Sequence, residues 1–186
     1  MSTETAARHS CDSPDWYTPA PFVDASRVVM GGIDLDPASD EEAQRTVQAT
    51  RFYTVEDDGL VQPWCGHIFV NPPGGLVREF WWKLMQSRDT PQFDQAIWIG
   101  YSLEQLQTLQ GKGVDDPLGF PMCVPKRRIP FVENEAKRAA RIEKLRAQGK
   151  SPNLKSQPSH ANYITYIGPH VEVFCAVFSV FGSVRR

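Results

Sequence analysis

The chain has 186 residues, enough to bury one sizeable core and to form one domain with at most an appendage. Its 20 Lys and Arg stand against 22 Asp and Glu, a formal net charge of −2, so no global basic field marks a nucleic-acid partner and any such surface has to be local. The four cysteines (Cys11, Cys65, Cys123, Cys175) include no CxxC pair, which argues against a zinc site or a disulfide framework and for thiols in a reducing compartment.

Residues 1–14 read as a flexible lead-in; Met1–Ser13 is polar and lacks the apolar core of a signal peptide. No apolar run is long enough to span a bilayer, so a cytoplasmic location without membrane contact is expected. Trp16-Tyr17-Thr18-Pro19 reads as a helix entry, with Thr18 as N-cap and Pro19 at the first helical position. Such an entry aims helix N–H groups outward, towards a carboxylate. Phe22–Met30 has helical spacing, closed by Gly31-Gly32. Ile33–Asp36 predicts a short strand and Ser39–Ala49 a polar helix. Residues 51–62 read as a turn-rich loop. Gly66–Val70 is a continuous apolar run, the pattern of a strand covered on both faces.

Further on, Leu76–Ser87 predicts a helix, Gln95–Gly100 a buried strand, Leu103–Leu109 a helix and Phe120–Val124 a short strand. Glu133–Gln148 predicts a charged helix stopped by Gly149, Asn162–Ile167 a strand, and Val171–Phe181 an apolar helix closing the fold. Strands alternating with helices argue for an α/β fold with a mostly parallel sheet. Residues 15–183 are read as one domain, with 133–156 a charged helical insertion.

Asn71-Pro72-Pro73 follows the Gly66–Val70 run and carries the most chemistry. Two prolines fix two φ angles and remove two backbone donors, leaving carbonyl oxygens at the mouth of a strand. The Asn71 amide oxygen and the Pro72 carbonyl together match the two hydrogens of an exocyclic amino group. That geometry suits methyl transfer to the nitrogen of an adenine, a cytosine or a glutamine amide; a plain turn after a strand is the alternative. Asp34 and Asp36 close the predicted strand where open α/β sheets hold ribose hydroxyls, unless Asp36 or Ser39 caps the next helix. Asp58, in Asp57-Asp58-Gly59-Leu60, is placed either in a turn or against an adenine amino group. Lys126, Arg127 and Arg128 begin a basic stretch continued by Lys137, Arg138 and Arg141. A solvated helix face and a phosphate-contacting surface both fit it. Trp81 and Trp82 read as core or as a stacking platform for an unstacked base. His160, before a predicted strand, has no nucleophile partner in sequence.

Taken in order, these segments resemble the phage-type DNA N6-adenine methyltransferases, which depend on S-adenosylmethionine. The run Trp16-Tyr17-Thr18-Pro19, Gly31 to Ser39, Phe52-Tyr53-Thr54, Glu56 to Leu60, Trp64 and Asn71-Pro72-Pro73 carries the likeness. Arg128-Ile129-Pro130-Phe131, Pro158-Ser159 and the terminal phenylalanines extend it more weakly. The resemblance implies a compact Rossmann-like methyltransferase fold, DNA as partner, and a phage or prophage protein working in a bacterial cell. It implies that Trp16, Thr18 and Pro19 contact the methionine end of S-adenosylmethionine, Asp34 or Asp36 its ribose, and Asp58 its adenine. It also implies that Asn71, Pro72 and Pro73 hold the amino group of a flipped adenine, and that Arg127, Arg128, Lys137 and Arg141 meet DNA.

Two departures stand out. The family pattern places an aromatic directly after Asn-Pro-Pro, where this chain has Gly74 and Gly75. Either Trp81 or Trp82 takes over that stack, or catalysis is impaired. Gly31-Gly32 precedes the ribose strand instead of following it, so no usual glycine-rich cofactor loop is present. A catalytically impaired relative and a protein glutamine methyltransferase are the alternative functions.

Overall fold

The computed structural model describes residues 16–110, 115–151 and 161–186. Within them the chain forms β1 (Trp16–Tyr17), α1 (Ala20–Met30), β2 (Leu35–Asp36), α2 (Glu41–Val47), β3 (Arg51–Phe52), β4 (Gly66–Val70) and α3 (Val77–Arg88). These are followed by β5 (Phe93–Gly100), α4 (Leu103–Leu109), β6 (Met122–Pro125), β7 (Val132–Glu133), α5 (Glu135–Ala147), β8 (Tyr163–Ile167), α6 (Val171–Phe178) and β9 (Gly182–Arg185). Residues 1–14, His160 and Pro158-Ser159 lie outside the described residues, as does the end of the 133–156 segment.

Seven strands form one sheet in the order β3-β2-β4-β5-β8-β6-β9, and β1 and β7 form a separate two-stranded ribbon. Side chains alternate across a strand, so the central strands feed two cores. Ile68, Val70, Ala96 and Trp98 pack with α3 and α4 on one face. Phe69, Ile97 and Ile99 pack with α1 and α6 on the other. Each fully buried large side chain contributes roughly 1.5–3 kcal/mol, so both faces hold the sheet. This double cover explains why Gly66–Val70 is continuously apolar.

The protein is α/β as expected, but the sheet is mixed and not mostly parallel. β3, β2, β4 and β5 run parallel, whereas β5–β8, β8–β6 and β6–β9 pair antiparallel. A strand buried on both faces has the same apolar pattern in either direction, so composition did not betray the reversal. Three local expectations also change. Helix α6 stops at Phe178 and Gly182–Arg185 becomes an edge strand on β6. Arg51–Phe52, read as loop, pairs with β2 at the opposite edge. The N-cap of α1 is Pro19 (φ −64°, ψ 147°), not Thr18, with Pro21 inside the first turn.

Gly31 ends α1 as expected: at φ +77° its N–H bonds the Arg27 carbonyl at 2.7 Å, a left-handed closure that glycine adopts without penalty.

Candidate active site

The strand order points to a candidate location for the site. The chain passes from β2 outward to β3, then crosses to β4 on the other side of β2. Open α/β sheets bind ligands outside the carboxyl ends of the strands at such a reversal. Asp36 ends β2 and Asn71 follows β4, so the two flank this point.

The β1–β7 ribbon reaches Asn71. Trp16 pairs with Glu133 and Tyr17 with Val132. The Asn71 Nδ2 donates to the Trp16 carbonyl at 2.8 Å. That bond fixes the amide orientation, because a carbonyl accepts only from the NH2 group. The Asn71 Oδ1 is then left buried with no hydrogen-bond partner among the described residues. Buried acceptors without donors are rare, and each calls for an explanation. The Pro73 carbonyl accepts from Leu76 N–H at 2.9 Å. No backbone N–H among the described residues takes the Pro72 carbonyl. One amide oxygen and one proline carbonyl are thus two acceptors left open at this end of β4 by the described residues.

Thr18 is buried, and its Oγ1, like Trp82 Nε1, Trp98 Nε1, the Tyr163 hydroxyl and Thr165 Oγ1, also has no hydrogen-bond partner among the described residues. The helix-entry reading needs correcting here. Pro19 and Pro21 have no N–H, and Phe22 and Val23 donate to the Pro19 carbonyl at 3.0 and 3.4 Å. The first turn of α1 therefore offers fewer outward N–H groups than a serine- or threonine-capped helix. Thr18's hydroxyl is the more distinctive feature.

Tyr17, passed over in sequence, ties this region together. Its hydroxyl donates to Asp40 Oδ2 at 2.6 Å and accepts from Asn134 Nδ2 at 2.6 Å. Asp40 caps α2 through Oδ1 to Ala43 N–H at 2.8 Å. The ribbon, the start of α2 and the base of α5 are linked through one phenol. No local sequence pattern signals this, because Asp40 and Asn134 lie 23 and 117 residues away.

The two aspartates separate. Asp34 precedes β2, and its Oδ2 accepts from His67 N–H at 2.8 Å beside the start of β4. It lines an open cavity of about 240 Å³ with Arg51, Cys65 and Gly66. That is the amino end of the strands, away from Asn71. Asp36 sits at the carboxyl end and is 3 % exposed. Its carboxylate accepts from Gln44 Nε2 at 3.0 Å and from Ala38 N–H at 3.3 Å. Burial pushes its pKa up to about 7; the bonds from Ser39, Ala38 and Gln44 oppose the rise, and the nearby Asp40 charge adds to it. It is thus a partly protonated acid held inside the fold.

Asp58 reaches the same end of the sheet. A Cβ on Gly59 would lie 2.0 Å from the Pro37 carbonyl, so only glycine lets this turn pack against the residue after β2. Trp64 Nε1 bonds the Gly59 carbonyl at 2.7 Å and locks that approach. Asp58 is half-buried with φ +52°, and its Oδ1 accepts from Leu60 N–H at 3.3 Å. Asp57 organises the turn instead. It accepts the Thr54 N–H and hydroxyl at 2.8 and 2.9 Å, bonds that hold its carboxyl below the usual range.

Gly74 is exposed, and a Cβ there would meet nothing within 4 Å. Neither tryptophan of α3 fills the gap as an open platform. Trp81 is wholly buried, edge-on to Trp98 at 5.0 Å, with Nε1 on the Asp115 carbonyl at 2.8 Å. Trp82 is half-buried under the Arg78 guanidinium, 5.2 Å from its ring centre.

The basic segment divides as well. Arg127 and Arg128 are exposed on the loop after β6. Arg141 instead grips Glu133, with Nε–Oε1 at 3.0 Å and a second bond at 3.1 Å. Lys137 lies on α5, its side chain outside the described ones. No group of three or more metal-ligating side chains occurs among the described residues, and no described helix is long and apolar enough to cross a membrane.

No protein-family model matches the chain, and no curated protein matches it.

Proposed function

We propose that the protein is an S-adenosylmethionine-dependent methyltransferase acting on the exocyclic amino group of adenine in DNA. One observation carries the reading: a buried, unpartnered Asn71 Oδ1 whose amide is held in one orientation by the Trp16 carbonyl. An acceptor so placed suits an N–H from a ligand, and the Pro72 carbonyl beside it suits a second. Both hydrogens of an aromatic amino group are thereby held. Hydrogen bonding to two acceptors draws the nitrogen towards a nucleophilic geometry and stabilises the positive charge it acquires as the new bond forms.

The residues present fit the cofactor unevenly. Thr18 Oγ1, buried and unpartnered, is available to the methionine end, with Trp16 and Pro19 around it. Asp58 is the candidate for the adenine. Asp36 takes the ribose by exchanging the Gln44 amide for a hydroxyl. Asp34 is left out because it lies at the other end of the strands. When bound, S-adenosylmethionine supplies an electrophilic sulfonium methyl. The exposed Arg127 and Arg128 and the basic helix α5 are the surface for DNA phosphates. The finer fold assignment, a Rossmann-like methyltransferase domain in a phage or prophage protein, belongs to this proposal.

A second reading is favoured by Gly74: a relative that binds cofactor and DNA but turns over slowly, for want of a stacking ring. Methyl-labelled S-adenosylmethionine with unmethylated DNA separates the two. Label enters DNA with the wild type and is lost with Asn71→Ala, while calorimetry shows cofactor binding unchanged in that variant. Cofactor binding without label in the wild type selects the second reading; no cofactor binding refutes both.

A further inference from the structure

The Asn71 amide is held by the backbone carbonyl of Trp16, and a carbonyl points wherever its peptide plane points. Whatever fixes the Trp16 peptide therefore fixes which way Asn71 Oδ1 faces. Trp16–Tyr17 is a strand of two residues, paired with Val132–Glu133. So short a ribbon has little stability of its own and depends on what its side chains grip.

Those side chains grip two helices. On β1, the Tyr17 hydroxyl bonds Asp40 at the start of α2 and Asn134 at the base of α5. On β7, Glu133 is the register partner of Trp16 and takes the Arg141 guanidinium from α5. Arg141 Nε donates to Glu133 Oε1 at 3.0 Å and Nη2 to Oε2 at 3.1 Å. Two parallel bonds between fork and carboxylate fix orientation as well as distance. The Glu133 side chain is only 6 % exposed, so its charge is costly to leave without a cation. Arg141 thus holds Glu133, Glu133 lies opposite Trp16, and the Trp16 carbonyl accepts from Asn71 Nδ2 at 2.8 Å.

We propose that Arg141 is a positioning residue: through Glu133 it fixes the β1–β7 ribbon, so that the Trp16 carbonyl keeps Asn71 Oδ1 turned to the acceptor nitrogen. This rests on the proposed function, and it gives Arg141 a different task from the phosphate contact that the family resemblance implies. A phosphate contact acts on DNA affinity and its salt dependence, whereas Arg141 acts on the step after binding. When the ribbon shifts, Nδ2 loses its acceptor and the amide is free to turn. An NH2 group then meets the amino group of the base, donor against donor.

The test compares the wild type with Arg141→Gln, Arg141→Lys, and the neutral pair Glu133→Gln with Arg141→Ala, which strands no buried charge. One readout is solvent exchange of the Asn71 side-chain NH2, assigned by NMR as the pair of signals lost in Asn71→Ala. The other is methyl transfer to DNA. Exchange is expected to be at least about tenfold faster in Arg141→Gln and in the neutral pair, because the Nδ2 bond opens more often. In both, kcat falls at least about tenfold, while cofactor affinity and KM for DNA stay within about twofold. The slope of log DNA affinity against log salt is unchanged. Arg141→Lys, which keeps the charge and loses the fork, falls between these and the wild type. If Arg141→Gln does not melt cooperatively, the neutral pair carries the test. Exchange and kcat that both stay at wild-type values in the neutral pair overturn the proposal. So does a kcat loss with exchange unmoved, or a shallower salt slope with kcat intact, which makes Arg141 a phosphate contact. Absence of transfer by the wild type, with exchange altered as expected, overturns the proposed function and leaves the link from Arg141 to Asn71 standing.

Discussion

Two side chains at the carboxyl ends of β2 and β4 show how burial changes what a residue can do. Asn71 carries no charge, yet its Oδ1 has no donor among the described residues, and in the proposed function it selects the ligand. Asp36 carries the charge the chemistry of a ribose site calls for, yet burial holds it near its protonated form. A carboxyl whose folded pKa is raised contributes stability below its unfolded value near 4, and that contribution is lost as pH rises through about 7. Asp36→Asn removes the titration while keeping the shape. It is therefore expected to match the wild type in thermal stability at pH 4 and to exceed it at pH 8, by up to about 4 kcal/mol. Denaturant melts across that range check the sign; a gap that narrows as pH rises contradicts it. In the same variant, cofactor affinity is expected to fall, the usual exchange of stability for function at a strained site.

At the scale of elements, most of the fold was legible and the joints were not. The spans of β4, α3, α4 and β8 follow from apolar periodicity and end signals, each within two residues of expectation. Pro19 as cap, the strand at β9 and the edge strand β3 were not legible, because two- to four-residue pairings are set by neighbours distant in sequence. Gly59 illustrates a joint that can be tested. Gly59→Ala drives a methyl into the Pro37 carbonyl and is expected to cost about 1–3 kcal/mol, read as a lower melting temperature. An unchanged melt shows that the turn does not pack there. The loop after β6 and helix α5 make a separate prediction. Arg127 and Arg146 are exposed, whereas Arg141 is held by Glu133. Arg127→Ala and Arg146→Ala are each expected to reduce the slope of log affinity for DNA against log salt by about 1. A slope unmoved by either variant places the DNA elsewhere.

Across the whole molecule, a sheet that is parallel on one side and antiparallel on the other places the β2–β4 reversal between Asp36 and Asn71. Sequence order alone brought Asn71, Thr18 and Asp36 into one list. The fold adds that they share an end of the sheet and that Asp34 does not. The motif was readable because two consecutive prolines restrict the backbone whatever surrounds them. The Trp16–Asn71 bond was not, because it spans 55 residues and depends on a ribbon that no periodicity announces. The central claim is that this amide oxygen holds an adenine amino group for methyl transfer. Its most direct test is to incubate unmethylated DNA with methyl-labelled S-adenosylmethionine and the wild type or Asn71→Ala, digest the DNA, and identify the labelled nucleoside. The account predicts N6-methyladenosine's deoxy form from the wild type and none from Asn71→Ala. Label on cytosine, on protein glutamine, or equally from both proteins contradicts it.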